Sequence, residues 1–362
     1  MLLKVAVILG TRPEIIKMAP VIRELEIREV DFFILHTGQH YSYNLDGIFF
    51  EQLSLPQPKY NVEAGSDSHA EQTAKILVGV EKVLQEETPH IALVEGDTNS
   101  VLASALAAAK LHIKVGHVEA GLRSYDRNMP EEINRALTDH CSDYLFAPTE
   151  KAKATLLSEG IPEEKIFVTG NTIVDAVYQN LEIAREQSNT LDTLHVNPRE
   201  YFLVTLHRQE NVDNRARFTS ILEGLDKVTT DFHLPVIYPI HPHSQKKMSE
   251  FNLKVPNLTL IEPIDFLSFL QLENNARLVL TDSGGVQEEA CILGVPCVTL
   301  RDNTERPETV EVGANILAGA SPSNIFECTR AMLGKENDWQ NPFGDGKAGE
   351  RIVSIITGGF DG

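Results

Sequence analysis

The chain has 362 residues, 42% hydrophobic and 23% charged, the profile of an ordinary globular protein with room for about two domains. That balance excludes disordered, collagen-like and coiled-coil architectures. Lys and Arg total 32 against 52 Asp and Glu, a formal net charge of −20, which argues against nucleic acid or an anionic membrane surface as partner and obliges an anionic small ligand to find local cations.

Leu3 to Leu9 reads as a buried strand, and Pro13 stands at the first turn of a helix carrying Ile16, Ala19, Ile22 and Leu25, with Pro20 weakening its middle. Further strands are expected at Phe32 to Thr37, Ile91 to Glu95, Lys114 to Glu119 and Tyr144 to Ala147. Helices are expected near Ala70 to Leu84, Ser100 to Leu111, Glu131 to Cys141 and Thr149 to Gly160. Apolar runs alternating with helical periodicity are the pattern of parallel strands joined by crossover helices, hence an α/β, doubly wound domain. The polar stretch from Arg185 to Arg199 reads as a linker region. Strands then resume at Tyr201 to Leu206, Val236 to Tyr238, Leu258 to Ile261, Leu278 to Thr281 and Cys297 to Leu300, forming a second α/β domain. The boundaries are placed at 1–172 and 173–345. Cys141, Cys291, Cys297 and Cys328 make no C-x-x-C pair and read as reduced thiols. No signal-peptide pattern opens the chain, and the longest mostly apolar stretch, Val101 to Ala109, is half a membrane span, so a cytoplasmic location is expected.

Ligands of doubly wound sheets bind beyond the carboxyl ends of the strands, so the polar residues after each apolar run carry the functional signal. Gly10-Thr11-Arg12-Pro13-Glu14 follows the first strand, with Lys17 one turn on. A glycine turn, a helix N-terminus and two cations meet there, as a phosphate or leaving-group site requires; a tight βα turn with a surface Arg accounts for the same residues. Glu95-Gly96-Asp97-Thr98, the run from His117 to Arg123, and Pro130-Glu131-Glu132 place Asp97, Glu119 and Glu131 at corresponding sheet edges. Singly, each is explained by helix capping or first-turn electrostatics. Together they are expected to approach one another and raise each other's pKa, as acid–base work needs.

In the second half, His207-Arg208 follows a strand, and Asp282-Ser283-Gly284-Gly285 runs on to Glu289 between a strand and a helix. The small-Gly-Gly turn lets a pyrophosphate reach N–H groups at a helix N-terminus, with Glu289 one turn on as an acceptor for ribose hydroxyls; a plain glycine-rich N-cap is the alternative. Arg306, in the run from Arg301 to Glu308, offers a charge-assisted phosphate contact, or else pairs with Glu305 or Glu308. His241-Pro242-His243 has no third ligand at a zinc spacing and reads as loop lining, and Gln39-His40-Tyr41 as cleft lining or a turn. Dinucleotide, P-loop, G-x-S-x-G and H-E-x-x-H motifs are absent.

Taken together, GTRPE at Gly10, EGDT at Glu95, GHVEAGLR at Gly116, PEEINR at Pro130, TGNT at Thr169, HR at His207, TDSGGVQEEA at Thr281 and RDNTERPE at Arg301 resemble the non-hydrolysing UDP-N-acetylglucosamine 2-epimerases nearly end to end. The resemblance implies a glycosyltransferase-B type fold, two Rossmann-like doubly wound domains facing a central cleft, with a C-terminal helix within 346–362 packing back on the first domain. It also implies reversible conversion of UDP-N-acetylglucosamine to UDP-N-acetylmannosamine in a homodimer, without metal or nicotinamide. Phosphate and uridine contacts fall on Arg12, Ser283, Gly284, Gly285, Glu289 and Arg306, with Phe269 near the base; Lys17, Asp97, Glu119, Glu131 and His207 surround the reacting sugar. Gln39, His40 and His241 match part of an effector site for a second UDP-N-acetylglucosamine. Two departures stand out: Ile264 replaces a Gln common in bacterial members, and the segment from Arg123 to Pro130 is two residues shorter than theirs.

The chemistry implied is elimination. The C2 hydrogen is not next to a carbonyl; breaking the bond from C1 to the UDP oxygen acidifies it, giving UDP and 2-acetamidoglucal, and re-addition returns the proton to the other face. Cations and helix N–H groups stabilise the leaving UDP, and two acid–base groups serve the two faces. A hydrolysing epimerase, a UDP-sugar-dependent glycosyltransferase and a non-catalytic sugar-nucleotide sensor are the competing expectations.

Overall fold

The structure, a computed structural model, describes residues 3–38 and 43–358. The chain divides into two compact units, Met1–Gln179 with Phe343–Gly362, and Asn180–Pro342. In the first, β1 (Lys4–Leu9), β2 (Asp31–His36), β3 (Tyr60–Asn61), β4 (Ile91–Glu95), β5 (Lys114–Val118), β6 (Tyr144–Ala147) and β7 (Ile166–Val168) form a parallel sheet in the order β3-β2-β1-β4-β5-β6-β7. In the second, β8 (Phe202–Thr205), β9 (Val236–Pro239), β10 (Leu258–Ile261), β11 (Leu278–Thr281), β12 (Cys297–Thr299) and β13 (Asn315–Leu317) are again parallel, in the order β10-β9-β8-β11-β12-β13. The strand sequences explain this: Val5 to Leu9 and Ile91 to Val94 are unbroken apolar runs buried throughout, as strands covered by helices on both faces must be. Each sheet reverses its winding once, between β1 and β4 in the first unit and between β8 and β11 in the second, and a crevice at the carboxyl ends follows from that reversal.

The first core gathers Ala6, Ile8, Leu35, Ile76, Val80 and Val94; the second gathers Phe202, Val204, Phe218, Leu225 and Tyr238. Among the described residues, no helix is long and apolar enough to cross a membrane. The edge strands β3, β7 and β13 escape sequence reading because two or three residues carry too little periodicity to register. The stretch expected as a linker is largely structured: the helix Thr172–Gln187 runs through Arg185, and a further turn at Thr190–Leu194 sets Leu191 and Leu194 against the second unit's core. Nor does Pro20 interrupt the helix Arg12–Ile27.

That helix is covered by the last one, Ala348–Gly358, at a very close approach: a Cβ on Gly349 would stand 3.0 Å from the carbonyl carbon and oxygen of Pro20. The buried Asp175 caps it, accepting from the N–H groups of Ala348 at 3.2 Å and Gly349 at 2.9 Å. At the opposite edge of the sheet, Glu87 receives Lys4 and Lys59, both at 2.6 Å, and the Tyr60 hydroxyl, so one carboxylate ties the start of β1 to the start of β3.

Two outcomes follow. Asp175→Ala leaves two N–H groups of the last helix without their acceptor and is expected to lower the unfolding free energy by about 1–3 kcal/mol, measured by urea denaturation; an unchanged midpoint would remove the cap from the account. The hydrogen bonds from Lys4, then Lys59 and Tyr60, pull the Glu87 carboxyl down from the usual 4.5 to about 2. A depressed folded-state pKa stabilises above the unfolded value, and that stability is lost as pH falls from about 4.5 towards 2. Glu87→Gln is therefore expected to be less stable than the wild type at pH 7 and equal to it near pH 2, whereas a gap independent of pH would contradict the assignment.

Candidate active site

At the carboxyl edge of the first sheet, the turn after β1 folds back on itself through Glu14. Its buried carboxyl accepts from the Gly10 N–H at 2.6 Å, the Thr11 hydroxyl at 3.0 Å and the Thr98 hydroxyl at 2.7 Å. Burial, opposed by these bonds and reinforced by the charge of Asp97, pushes Glu14 up to about 7. One turn further, the Lys17 ammonium bonds Glu119 and lies 3.2 Å from Glu95. Glu95, at the end of β4, is buried, and its carboxyl is held well above the usual range by burial, with Lys17 pulling down and Glu119 and Glu14 pushing up. Asn171 also reaches Glu119, at 3.4 Å. The backbone of Glu119 is left-handed, at φ 68°, a conformation that costs a non-glycine residue about 1–3 kcal/mol.

Asp97 sits beyond Gly96, whose φ of 86° requires glycine although nothing crowds its Cβ position. The Gly96 carbonyl accepts from Nε2 of the buried His117 at 2.9 Å, and Nδ1 of that ring lies 2.7 Å from Asp139. Asp139 also receives the Gly121 N–H and Arg123; although burial raises its pKa, His117 and Arg123 bring it below the usual range. Arg135 bonds Asp97 and lies 3.4 Å from Glu132, and Asn134 donates to the Asp97 carbonyl. Glu132 in turn holds the Ser124 and Tyr125 N–H groups at 2.9 and 2.8 Å, fixing the loop ahead of its own helix, Pro130–Cys141.

In the second unit, the buried Asp282 ties the ends of β8 and β11 together. It accepts from the N–H groups of His207 and Arg208, from Asn211, and faces His207 Nδ1 at 3.2 Å. Burial opposes its charge, but these donors outweigh it and lower its pKa. Ser283 stands at the N-cap of the helix Gly284–Ile292 without a side-chain cap bond. Neither Gly284 nor Gly285 has a positive φ, and a Cβ on either would meet no protein atom closer than 3.5 Å. The chain itself does not demand glycine here, so the space is open to a ligand at the helix N-terminus. Arg306 extends from the neighbouring loop, its Nε 2.8 Å from Glu288 of that same helix. Beside it, Thr205, Leu206, His207, Pro239, His241, Pro263, Ile264 and Phe269 line a cavity of about 180 Å³.

Asp97, Glu119 and Glu131 are expected as one group, and each has its own surroundings: Lys17 pairs with both Glu119 and Glu95, Arg135 pairs with Asp97, and Glu131 is half-buried on the first turn of the helix that supplies Arg135. At this edge of the first sheet the carboxyls of Glu14 and Glu95 are raised; they belong to GTRPE and EGDT, but burial is not visible in a motif. Arg306 pairs with Glu288, not with Glu305 or Glu308, since Glu305 is taken by Arg301. Arg12 is exposed, its guanidinium 5.9 Å from the Phe49 ring centre. His241 caps the helix Pro242–Glu250 and its ring centre lies 6.4 Å from that of His207; burial and the neighbouring histidines lower its pKa. Gln39 and His40 lie outside the described residues.

A family model described as UDP-N-acetylglucosamine 2-epimerase matches residues 23–357. The UDP-N-acetylglucosamine 2-epimerase of Methanocaldococcus jannaschii is 58% identical over 364 residues, covering 99% of this chain and 100% of its own length. That of Methanococcus maripaludis is 54% identical, with 98% of each chain covered. The crystal structure of the M. jannaschii enzyme in complex with UDP-GlcNAc and UDP matches with a TM-score of 0.85 at 59% identity, covering 98% of this chain and 99% of that one. Two Rossmann-like parallel sheets in one chain are the architecture of the glycosyltransferase-B type. With the match running through both units, the chain belongs to the UDP-N-acetylglucosamine 2-epimerase family.

Proposed function

We propose that this isomerase interconverts UDP-N-acetylglucosamine and UDP-N-acetylmannosamine by elimination and re-addition of UDP. The observation that carries the reading is the set of ionisable groups at the carboxyl edge of the first sheet, in a chain whose relatives 58% and 54% identical bear that enzyme's name. The open helix N-terminus at Ser283 to Gly285 takes the pyrophosphate, with Arg306 and Arg12 adding positive charge as the C1–O bond breaks. Phe269 meets the base in the cavity beside His207, and Glu289 accepts the ribose hydroxyls.

As UDP leaves with the bonding electron pair, a carboxylate takes the C2 proton and the C1–C2 double bond forms. Re-addition delivers a proton to the other face of C2 and re-forms the C1–O bond on the face from which UDP left. Asp97 and Glu131 serve as the acid–base pair, with Asp97 aimed by Arg135 and by the Gly96 carbonyl's bond to His117. Glu119, held by Lys17, orients the sugar, and His207 assists the leaving phosphate. The protein acts as a cytoplasmic homodimer supplying polysaccharide biosynthesis, and His241, with Gln39 and His40, contributes to an effector site for a second substrate molecule. The same chemistry with water admitted after elimination gives the hydrolysing alternative.

Asp97→Asn and Glu131→Gln are each expected to lower kcat by about 10²–10⁴-fold while changing UDP affinity only a few-fold; near-normal turnover in either variant takes that residue out of the proton transfer. Incubation with UDP-N-acetylglucosamine in D₂O, followed by NMR, is expected to yield UDP-N-acetylmannosamine carrying deuterium at C2. Release of free N-acetylmannosamine, transfer only when an acceptor is added, or no reaction would each reject the reading.

A further inference from the structure

One buried acid stands outside the machinery described so far. Glu273, on the helix Phe266–Asn275, is completely inaccessible to solvent, and neither of its oxygens has a donor among the described side chains and backbone groups. Among the described residues, the group that acts on its carboxyl is the carboxyl of Glu289, on the helix Gly284–Ile292. Both helices contribute to one apolar cluster, Leu272 from the first and Ala290 from the second, together with Cys297 and with Ala276, which follows the first helix. The other titratable groups acting on the pair bring no positive charge. Glu288 acts on Glu289 and is itself paired with Arg306, while the thiol of Cys297, which feels Glu273, and that of Cys291, which feels Glu288, are both pushed up by burial.

Two ionised carboxylates cannot bond each other, and a buried one without a donor or cation is strongly disfavoured, so one proton lies between the two acids. It belongs on Glu273, the fully enclosed member, with Glu289 as its acceptor. Phe269, four residues before Glu273 on the same helical face, packs against the same cluster, and Glu289 is one turn beyond the open Gly284 and Gly285. The pair therefore connects the base pocket to the pyrophosphate turn.

We infer that Glu273 is a positioning residue: a buried carboxylic acid that donates its proton to Glu289 and so holds that carboxylate as the acceptor for the nucleotide's ribose hydroxyls. The inference rests on the nucleotide reading above. It has a pH signature as well. Burial lifts Glu289 to about 7, opposed by the bond from Glu273, and ribose hydroxyls favour the ionised acceptor. UDP affinity is thus expected to fall about tenfold as pH drops from 8 to 6, with proton release on binding.

The test is UDP binding by calorimetry from pH 6 to 8.5, with kcat and KM, for the wild type, Glu273→Gln and Glu273→Leu. Gln is also a neutral donor, so it is expected to keep wild-type affinity and pH midpoint. Leu removes the donor; UDP affinity is expected to fall by about 10–100-fold, the midpoint to move alkaline, and kcat at saturating substrate to change little beside KM. Wild-type affinity and midpoint in the Leu variant, or a Gln variant as impaired as the Leu one, would overturn the inference while leaving the epimerase reading intact. A wild type that binds no UDP would overturn both. In the infrared difference spectrum of the ligand-free wild type minus Glu273→Gln at pH 8.5, a carboxylic-acid band is expected beyond the absorption that Glu14 and Glu95 give to both proteins, which checks the proton without UDP and without the Leu variant having to fold; no such difference band would mean that Glu273 does not bear the proton.

Discussion

A single half-buried ammonium organises the carboxyl edge of the first sheet. Lys17 reaches from the helix after β1 to the end of β4 and to the residue following β5, so three chain segments distant in sequence converge on one positive charge. Without it, the Glu119 charge would push the buried Glu95 carboxyl up with no cation to offset it. The second unit solves the same problem with an anion at the centre: Asp282 collects backbone N–H groups and the Asn211 amide where β8 and β11 end. Both edges are thus built by satisfying one enclosed charge from several elements. Each such charge fixes side chains that sit on what are, topologically, loops.

Much of the fold was legible because parallel strands buried on both faces write themselves as unbroken apolar runs; Val5 to Leu9, Ile91 to Val94 and Leu278 to Leu280 needed no context. What stayed hidden had its signal elsewhere in the chain. The edge strands exist because a neighbour offers a ladder, not because Tyr60 and Asn61 ask for one. The polar stretch near 190 is ordered by Gln271, which bonds Ser188 and the Thr190 N–H from more than 80 positions away.

The site shows the same division. Lys17, Asp97 and Glu119 could be picked out because strand-end position is a local property. The partners that determine their chemistry could not: Asp139 is 22 residues from His117, and Arg135 is 38 from Asp97. The acidic balance of the chain, −20 overall, also acquires a local meaning. Arginines at the strand ends are not bare charges; Arg135 and Arg306 pair with Asp97 and Glu288, so the orientation of each guanidinium is set by a neighbouring carboxylate.

The last helix has a consequence for how the molecule is made. Residues 343–358 belong to the first unit, where Gly349 lies against Pro20 and Asp175 caps the helix, yet the whole second unit is encoded before them. During synthesis the second unit can close on its own contiguous segment as it leaves the ribosome. The unit that begins earlier, by contrast, must wait with the face of the helix Arg12–Ile27 uncovered until residues 343–358 have been made. Of the two units, the one that begins first is completed second, and the period of exposed apolar surface is set by the length of the inserted unit.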